Sequence, residues 1–503
     1  MVIPRTARRS TRSLKKALLK KKKFESKSSQ KPLTAPQQRR HREMIDPKEQ
    51  FAAATELLRE LIQSPEVSEQ FDPELRTNTR MIYTKGVTLW MLIMQRLGNG
   101  LSLEGAVSHV LSHDRDLLPD NKRVREGVVS ENSSAYNNAR QKLSVNSIHE
   151  FSSTVCDYLG RKSEPIFGSR RVFIIDGTTI TLPPTPELKH AFPPATNQHG
   201  ESVWPIAMLM VANEMQSGCA LLPQIDPMYG PQRSSEAQQA RQIVYRLPKN
   251  SVVMADSGFG IFSVAYHSTQ AGHDILFRKT ASRFKSLRKR ANLIEEGPFH
   301  KSYSLLWQPT SKDRKTNPDL PSDAEVEVAL HEVELSNGTF LYLVTTLEID
   351  ATSAAKLYSR RYDVEFDIRD LKVTMDAENI LAKSVDMVKK ELFTSVVAYN
   401  LIAQFRRQAA QLARVEPRRL SFKGVWTSFR DHLLLKEAED FEEWQEHYTK
   451  ALISAGSKKL PNRSKPRSYP RYAHPRRPKS TKAKKMARKA DKPNEKPPPL
   501  VSK

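Results

Sequence analysis

Cysteine is nearly absent. Cys156 and Cys219 stand far apart, with no CxxC spacing and no neighbouring histidine, which excludes a disulfide framework and a cysteine-ligated zinc site. The 13 histidines show no ligand spacing, and His190 and His199 flank a loop as ordinary surface residues. Long apolar runs are also missing. The longest, 204–212, is interrupted by a proline and is too short to span a bilayer. The charged N-terminus has no apolar stretch after it, so it does not read as a secretory signal. No heptad run marks a coiled coil. These absences point to a cytoplasmic chain in a reducing compartment.

Positive charge is abundant but unevenly placed. The 503 residues carry 81 Lys and Arg against 56 Asp and Glu, a formal net charge of +25. Residues 1–45 hold 15 basic residues and 2 acids, and residues 457–503 hold 17 and 2. Subtraction leaves 49 basic residues and 52 acids between them, a body near −3. Basic tails of this kind favour a polyanion without sequence preference. Neither tail shows an amphipathic apolar face, so nucleic acid is favoured over membrane. The C-terminal tail is also rich in proline and is expected to be disordered.

Between the tails the texture changes twice. Helical patterns run over 51–63, 74–97, 101–113 and 133–144. The GNG turn at 98–100, followed by Ser102 as a candidate N-cap, resembles a helix-turn-helix. From about 165, strands at 171–182, 204–215, 218–227, 251–260 and 273–279 alternate with helices at 236–247 and 262–272, the pattern of an α/β layer structure with a mixed sheet. Residues 280–350 interrupt it with a β-rich insertion that includes a hairpin, 326–335 and 339–347 around an SNG turn. Helices follow at 352–374, 384–413, 419–435 and 439–453.

Two strands are read as ending in an acid, Asp176 in FIIDGT and Asp256 in MADSGF. Ligands bind outside the carboxyl ends of strands in open α/β sheets. Each acid alone also fits a turn residue that accepts backbone N–H groups. The run YSRRYDVEFDIRDLK (358–372) sets Tyr358, Arg361, Glu365 and Lys372 within a roughly 60° arc of a regular helix. Val364, Ile368 and Leu371 form an adjoining stripe that can dock on a sheet. The plain alternative is a solvated helix with an Arg361–Glu365 pair. Three carboxylates with oxygen-only ligation suit Mg2+ or Mn2+.

Asp176, Asp256 and Glu365, with 79 and 108 residues between them, resemble the DDE triad of transposases with an RNase H-like core. The Y-x2-R-x3-E-x6-K spacing is similar, at all four positions, to the YREK signature of the insertion sequence four family. IIDGTTITLP, ADSGF, KELF and AYNLI agree with it, over about 130–435; Ser257 departs, at a position where relatives often carry a larger residue. The resemblance implies an RNase H-like mixed sheet with flanking helices, in two parts, 165–280 and 351–455, around an insertion at 281–350. Outside the resemblance, a helical DNA-binding domain is expected at 46–150, since something must supply sequence specificity, between a disordered basic arm at 1–45 and a disordered tail at 456–503. The resemblance implies Mg2+, with Mn2+ as substitute, in two sites held by Asp176, Asp256 and Glu365. It also implies cleavage at transposon ends and strand transfer into target DNA, often through a hairpin. Tyr358, Arg361 and Lys372 would then grip phosphates, and Arg278 and Lys279, closing a strand, are further DNA candidates. Trp307 is the aromatic in the insertion able to stack on a flipped base, or else a core residue. Partners would be double-stranded terminal inverted repeats, target DNA and a second copy of the chain, in a bacterial-type, nucleoid-associated setting. A structure-specific nuclease on the same core and a non-catalytic transposase-derived DNA-binding protein are the alternatives.

Overall fold

The computed structural model describes residues 71–72 and 80–461, apart from 99, 114, 162–164, 166, 199 and 434–440. The arm at 1–45, the helical pattern at 51–63, His199 and nearly all of the C-terminal tail lie outside the described residues.

Among the described residues the longer helices before the sheet are α1 (Lys85–Leu97), α2 (Leu103–His113), α3 (Ser134–Lys142) and α4 (Val145–Gly160), with a single turn of helix at Lys122–Arg125. Helix α1 starts later than the 74–97 pattern because Thr84 caps it, its Oγ1 accepting from Val87 N at 3.4 Å. No element is read from the sequence over 145–160, yet Ile148, Phe151, Val155 and Leu159 give α4 a buried stripe.

A ten-stranded mixed sheet follows, in the order β2-β3-β1-β5-β6-β10-β9-β8-β7, with β4 paired to β3. Its first strands are β1 (Val172–Thr181), β2 (Pro194–Asn197), β3 (Gly200–Glu214) and β4 (Gln224–Pro227). Strand β4 keeps only the end of the 218–227 pattern. Next come β5 (Val252–Ala255) and β6 (Asp274–Arg278), with helices α5 (Pro186–Ala191), α6 (Glu236–Ile243), α7 (Phe262–Gln270) and α8 (Ala281–Arg288) between and after these strands. Strand β1 is antiparallel to β3 and parallel to β5, which is parallel to β6. The insertion supplies β7 (Asn292–Gly297), β8 (His300–Trp307), β9 (Val326–Glu334) and β10 (Phe340–Thr345). It is not a separate β layer. Strand β10 pairs with β6, so the meander widens the main sheet.

Strand alternation sorts the core. Phe173, Ile175, Val253, Ala255, Ile275 and Phe277 face one side, where they pack with residues of α6, α7 and α8. Val172, Ile174, Val252, Met254 and Leu276 face the other, beneath α9 (Ala351–Tyr358) and α10 (Asp363–Arg369). Helices α11 (Val385–Leu412), α12 (Phe422–Leu433) and α13 (Phe441–Gly456) close the fold. One apolar cluster joins α11, α12 and α13 to α1 and α4, so the N-terminal helices share their core with the C-terminal ones.

Candidate active site

Asp176 does not end its strand. β1 runs on to Thr181, but its parallel pairing with β5 stops at Ile174↔Met254. Beyond that point β1 pairs only with β3, and β5 itself ends at Ala255, immediately before Asp256. The register offset of 80 residues (254 − 174) carries Asp176 and Asp256 to the same level. The β5–β6 pairing, Ala255↔Phe277, brings Arg278 level with Asp256. Asp176, Asp256 and Arg278 therefore form one row just past the point where the parallel pairing of β1, β5 and β6 stops. By alternation the row lies on the α9–α10 face, with strands about 5 Å apart.

The run 358–372 is not one regular helix. Tyr358 ends α9, Arg361 lies in a 3-10 turn (Ser359–Tyr362), Glu365 is in α10, and Lys372 is in a π-helical turn (Asp370–Thr374). The four side chains nevertheless turn toward the sheet. Val364 and Ile368 dock on it as the apolar stripe implies, whereas Leu371 is carried into the helical core instead. The back of α10 is clamped by Arg418, whose guanidinium donates to both oxygens of Asp367, at 2.6 and 2.7 Å. The sequence reading misses this clamp, which joins residues 51 positions apart.

Arg361 joins the acids. Its Nη1 donates to Asp176 Oδ2 at 3.3 Å and its Nη2 to Glu365 Oε1. Asp176 Oδ1 accepts the Gly177 N–H and Asp256 Oδ1 the Gly258 N–H, each at 2.8 Å, so both acids also serve their own turns. Burial pushes the Asp176 carboxyl up to about 6, with Asp256 and Glu365 adding to the rise and the Gly177 N–H and Arg361 opposing it. Among the described residues, no group of three or more His, Cys, Asp or Glu side chains is gathered to share one ion. With Arg361 between Asp176 and Glu365, a guanidinium holds the place between them. The donor set is still all oxygen and carries excess negative charge, which is chemistry a hard divalent cation fits.

The other expected DNA contacts divide. The Tyr358 ring is buried in the sheet-facing core, and burial pushes its phenol up to about 12, so the hydroxyl stays a donor. Arg278 is exposed and its charge is felt at Tyr358. Lys372 Nζ donates to Thr179 O at 2.7 Å and Thr178 Oγ1 at 3.3 Å, tying the π turn to β1 beyond Asp176. Lys279 is a correction. One residue past Arg278, alternation turns it to the opposite face, where it is 3% exposed and donates to Gly260 O at 2.8 Å. A phosphate cannot reach it there. Trp307 lies beneath it, its ring centroid 4.0 Å from Lys279 Nζ, and meets Phe262 edge-on; it is a core residue.

Residues 167–401 match the family described as Transposase DDE domain, a stretch that holds Asp176, Asp256 and the whole 358–372 run. The chain is also similar to Transposase InsG for insertion sequence element IS4 from Escherichia coli (strain K12), with 23% identity over 374 residues, 71% of this chain and 80% of that protein. A mixed sheet with flanking helices lies beneath the same residues, so the matched stretch is similar to a transposase DDE domain in both sequence and layer architecture.

Proposed function

We propose that this chain is a DDE transposase of the insertion sequence four family, which cuts at transposon ends and joins strands to target DNA with Asp176, Asp256 and Glu365 as its catalytic acids. The observation that carries the reading is the convergence of Asp176 and Glu365 on Arg361, with Asp256 level with Asp176 on the neighbouring strand. The three acids would hold divalent cations, two Mg2+ by family resemblance. Bound there, the cations supply a water or 3′-hydroxyl of lowered pKa and neutralise charge on the departing 3′-oxygen.

The chain's own groups do the rest. Arg361 must leave the carboxylates as cations enter, and its guanidinium is then available to a phosphate beside the scissile bond. The Tyr358 hydroxyl, held protonated, donates to the same backbone. Arg278, level with Asp256 and exposed, extends the positive edge. Lys372 ties the π turn to β1 past Asp176 and, once released from Thr179, is a second phosphate partner. No protein nucleophile is required. The region 46–150 is assigned to the terminal repeat, and the basic tails to general DNA affinity. A dimer is expected, because two ends must be held together.

The test is cleavage of a duplex carrying the terminal inverted repeat, with Mg2+ and the full chain. Asp176→Ala and Glu365→Ala are expected to cut at least about a thousandfold more slowly, the scale of losing a group that stabilises the transition state. Wild-type rates in either variant would reject the assignment.

A further inference from the structure

Lys279 is a buried cation that the proposed chemistry leaves unused. Burial holds its ammonium down to about 7, with Arg283 adding to the fall and Asp313 opposing it. Packing alone would be served by a leucine or methionine at no such cost. What the ammonium does hold is a loop. Residues 256–261 lead from the second acid to the start of α7. Gly260 lies against the end of β6, where a Cβ would come within 2.3 Å of the Arg278 carbonyl oxygen. Its own carbonyl accepts Lys279 Nζ. Arg283, in the first turn of α8, donates Nη1 to the Ser257 carbonyl at 2.9 Å. Two cations of one segment therefore grip two carbonyls of the loop, and the Gly258 N–H orients the Asp256 carboxylate between those carbonyls.

We propose that Lys279, seated on Trp307, forms with Arg283 a latch that fixes the 256–261 loop and so positions the Asp256 carboxylate for cation binding. Lys279 is a positioning residue, and the assignment rests on reading Asp256 as a cation ligand. The latch reaches Asp256 only through the backbone, so its loss shows first in metal affinity and not in chemistry at saturating metal.

The experiment titrates Mn2+ into the full-length chain without DNA, reading unbound Mn2+ by its paramagnetic resonance, with thermal melts of the same samples. Lys279→Met keeps the stem and volume and deletes the ammonium. Arg283→Gln removes the outer cation at an exposed position and carries the test if Lys279→Met does not fold. Asp256→Ala is the reference. Lys279→Met is expected to weaken Mn2+ binding about tenfold, the scale of lost outer-shell support, without lowering the melting midpoint. Arg283→Gln is expected to weaken binding in the same direction. Cleavage by Lys279→Met should return toward the wild-type rate at saturating Mn2+. A packing role would instead lower the midpoint and leave the affinity of the folded protein alone. Affinity within twofold of wild type in both variants, while Asp256→Ala loses binding, overturns the latch and leaves the ligand assignment standing. If Asp256→Ala also binds Mn2+ normally, the ligand assignment fails and the latch with it.

Discussion

On the proposed reading of the three acids as cation ligands, Arg361 and a divalent cation would compete for the same oxygens. While the guanidinium bridges Asp176 and Glu365, an entering ion must displace it. Arg361→Ala should therefore bind Mn2+ more tightly than wild type in the absence of DNA, by a few-fold, yet cleave DNA more slowly because the phosphate partner is gone. Titration and cleavage on one preparation check this, and weaker Mn2+ binding in the variant would contradict it. Lys279 gives a prediction in pH. Its ordinary value is 10.5, and burial lowers it to about 7. Between those values the unfolded chain holds more protons than the folded one, so this residue makes stability rise with pH, by at most about 1.4 kcal/mol per unit. Below pH 7 both states are charged and the full cost of burial remains. Arg283 on α8 and Asp313 in the short helix Ser311–Thr316 are the charged groups that act on it. Lys279→Met should remove that slope: its advantage over wild type in urea unfolding is greatest near pH 7 and shrinks toward pH 10. An equal difference at both pH values would show that burial of the ammonium is not what limits stability.

Among the elements, the loop from β5 to α7 is the tightest joint in the site. A methyl group at Gly260 would meet the Arg278 carbonyl oxygen, a backbone atom that cannot rotate away. Gly260→Ala should cost on the order of 2 kcal/mol or more, and in the folded fraction Mn2+ affinity should fall as it does in Lys279→Met. A variant with unchanged midpoint and affinity would mean the loop has room the structure denies. The elements of the site were partly legible from the chain itself. β1, β5 and β6 showed as dense apolar runs because both their faces are buried. The signature spacing singled out Glu365 although the helix carrying it is broken by a 3-10 turn and a π turn. Register was not legible: that Asp176 sits in mid-strand yet level with Asp256 depends on where β5 stops pairing. Arg278 and Lys279 were read as one basic pair, and period-2 alternation separates them to opposite faces of the sheet. β7 escaped notice because nearly all of its residues are exposed, so no apolar pattern marks it.

At the scale of the whole molecule, the question is whether the N-terminal helices form a domain of their own. Their packing says otherwise. Glu391 of α11 accepts from Arg96 of α1 at 3.0 Å and from Arg140 of α3 at 2.9 Å, and all three residues are buried. The Trp426 indole of α12 donates to Leu97 O at 2.9 Å, at the end of α1. Leu89, Ile93, Ile148 and Val155 share one apolar cluster with Phe393, Val397 and Phe405. Whatever binds to these helices is thus rigidly tied to the long helix that follows the acids. Glu391→Ala leaves two buried guanidinium groups without their carboxylate, a loss of about 3–5 kcal/mol. Because the cluster is shared, that loss should move the whole protein. Trp90 lies in α1 and Trp426 in α12, so single-tryptophan versions report the two ends separately. In urea, Glu391→Ala should shift both signals to the same lower midpoint. If Trp90 loosened first while Trp426 kept the wild-type midpoint, the helices would be a separable module, and the two arginines would hold only a docking contact between folded parts.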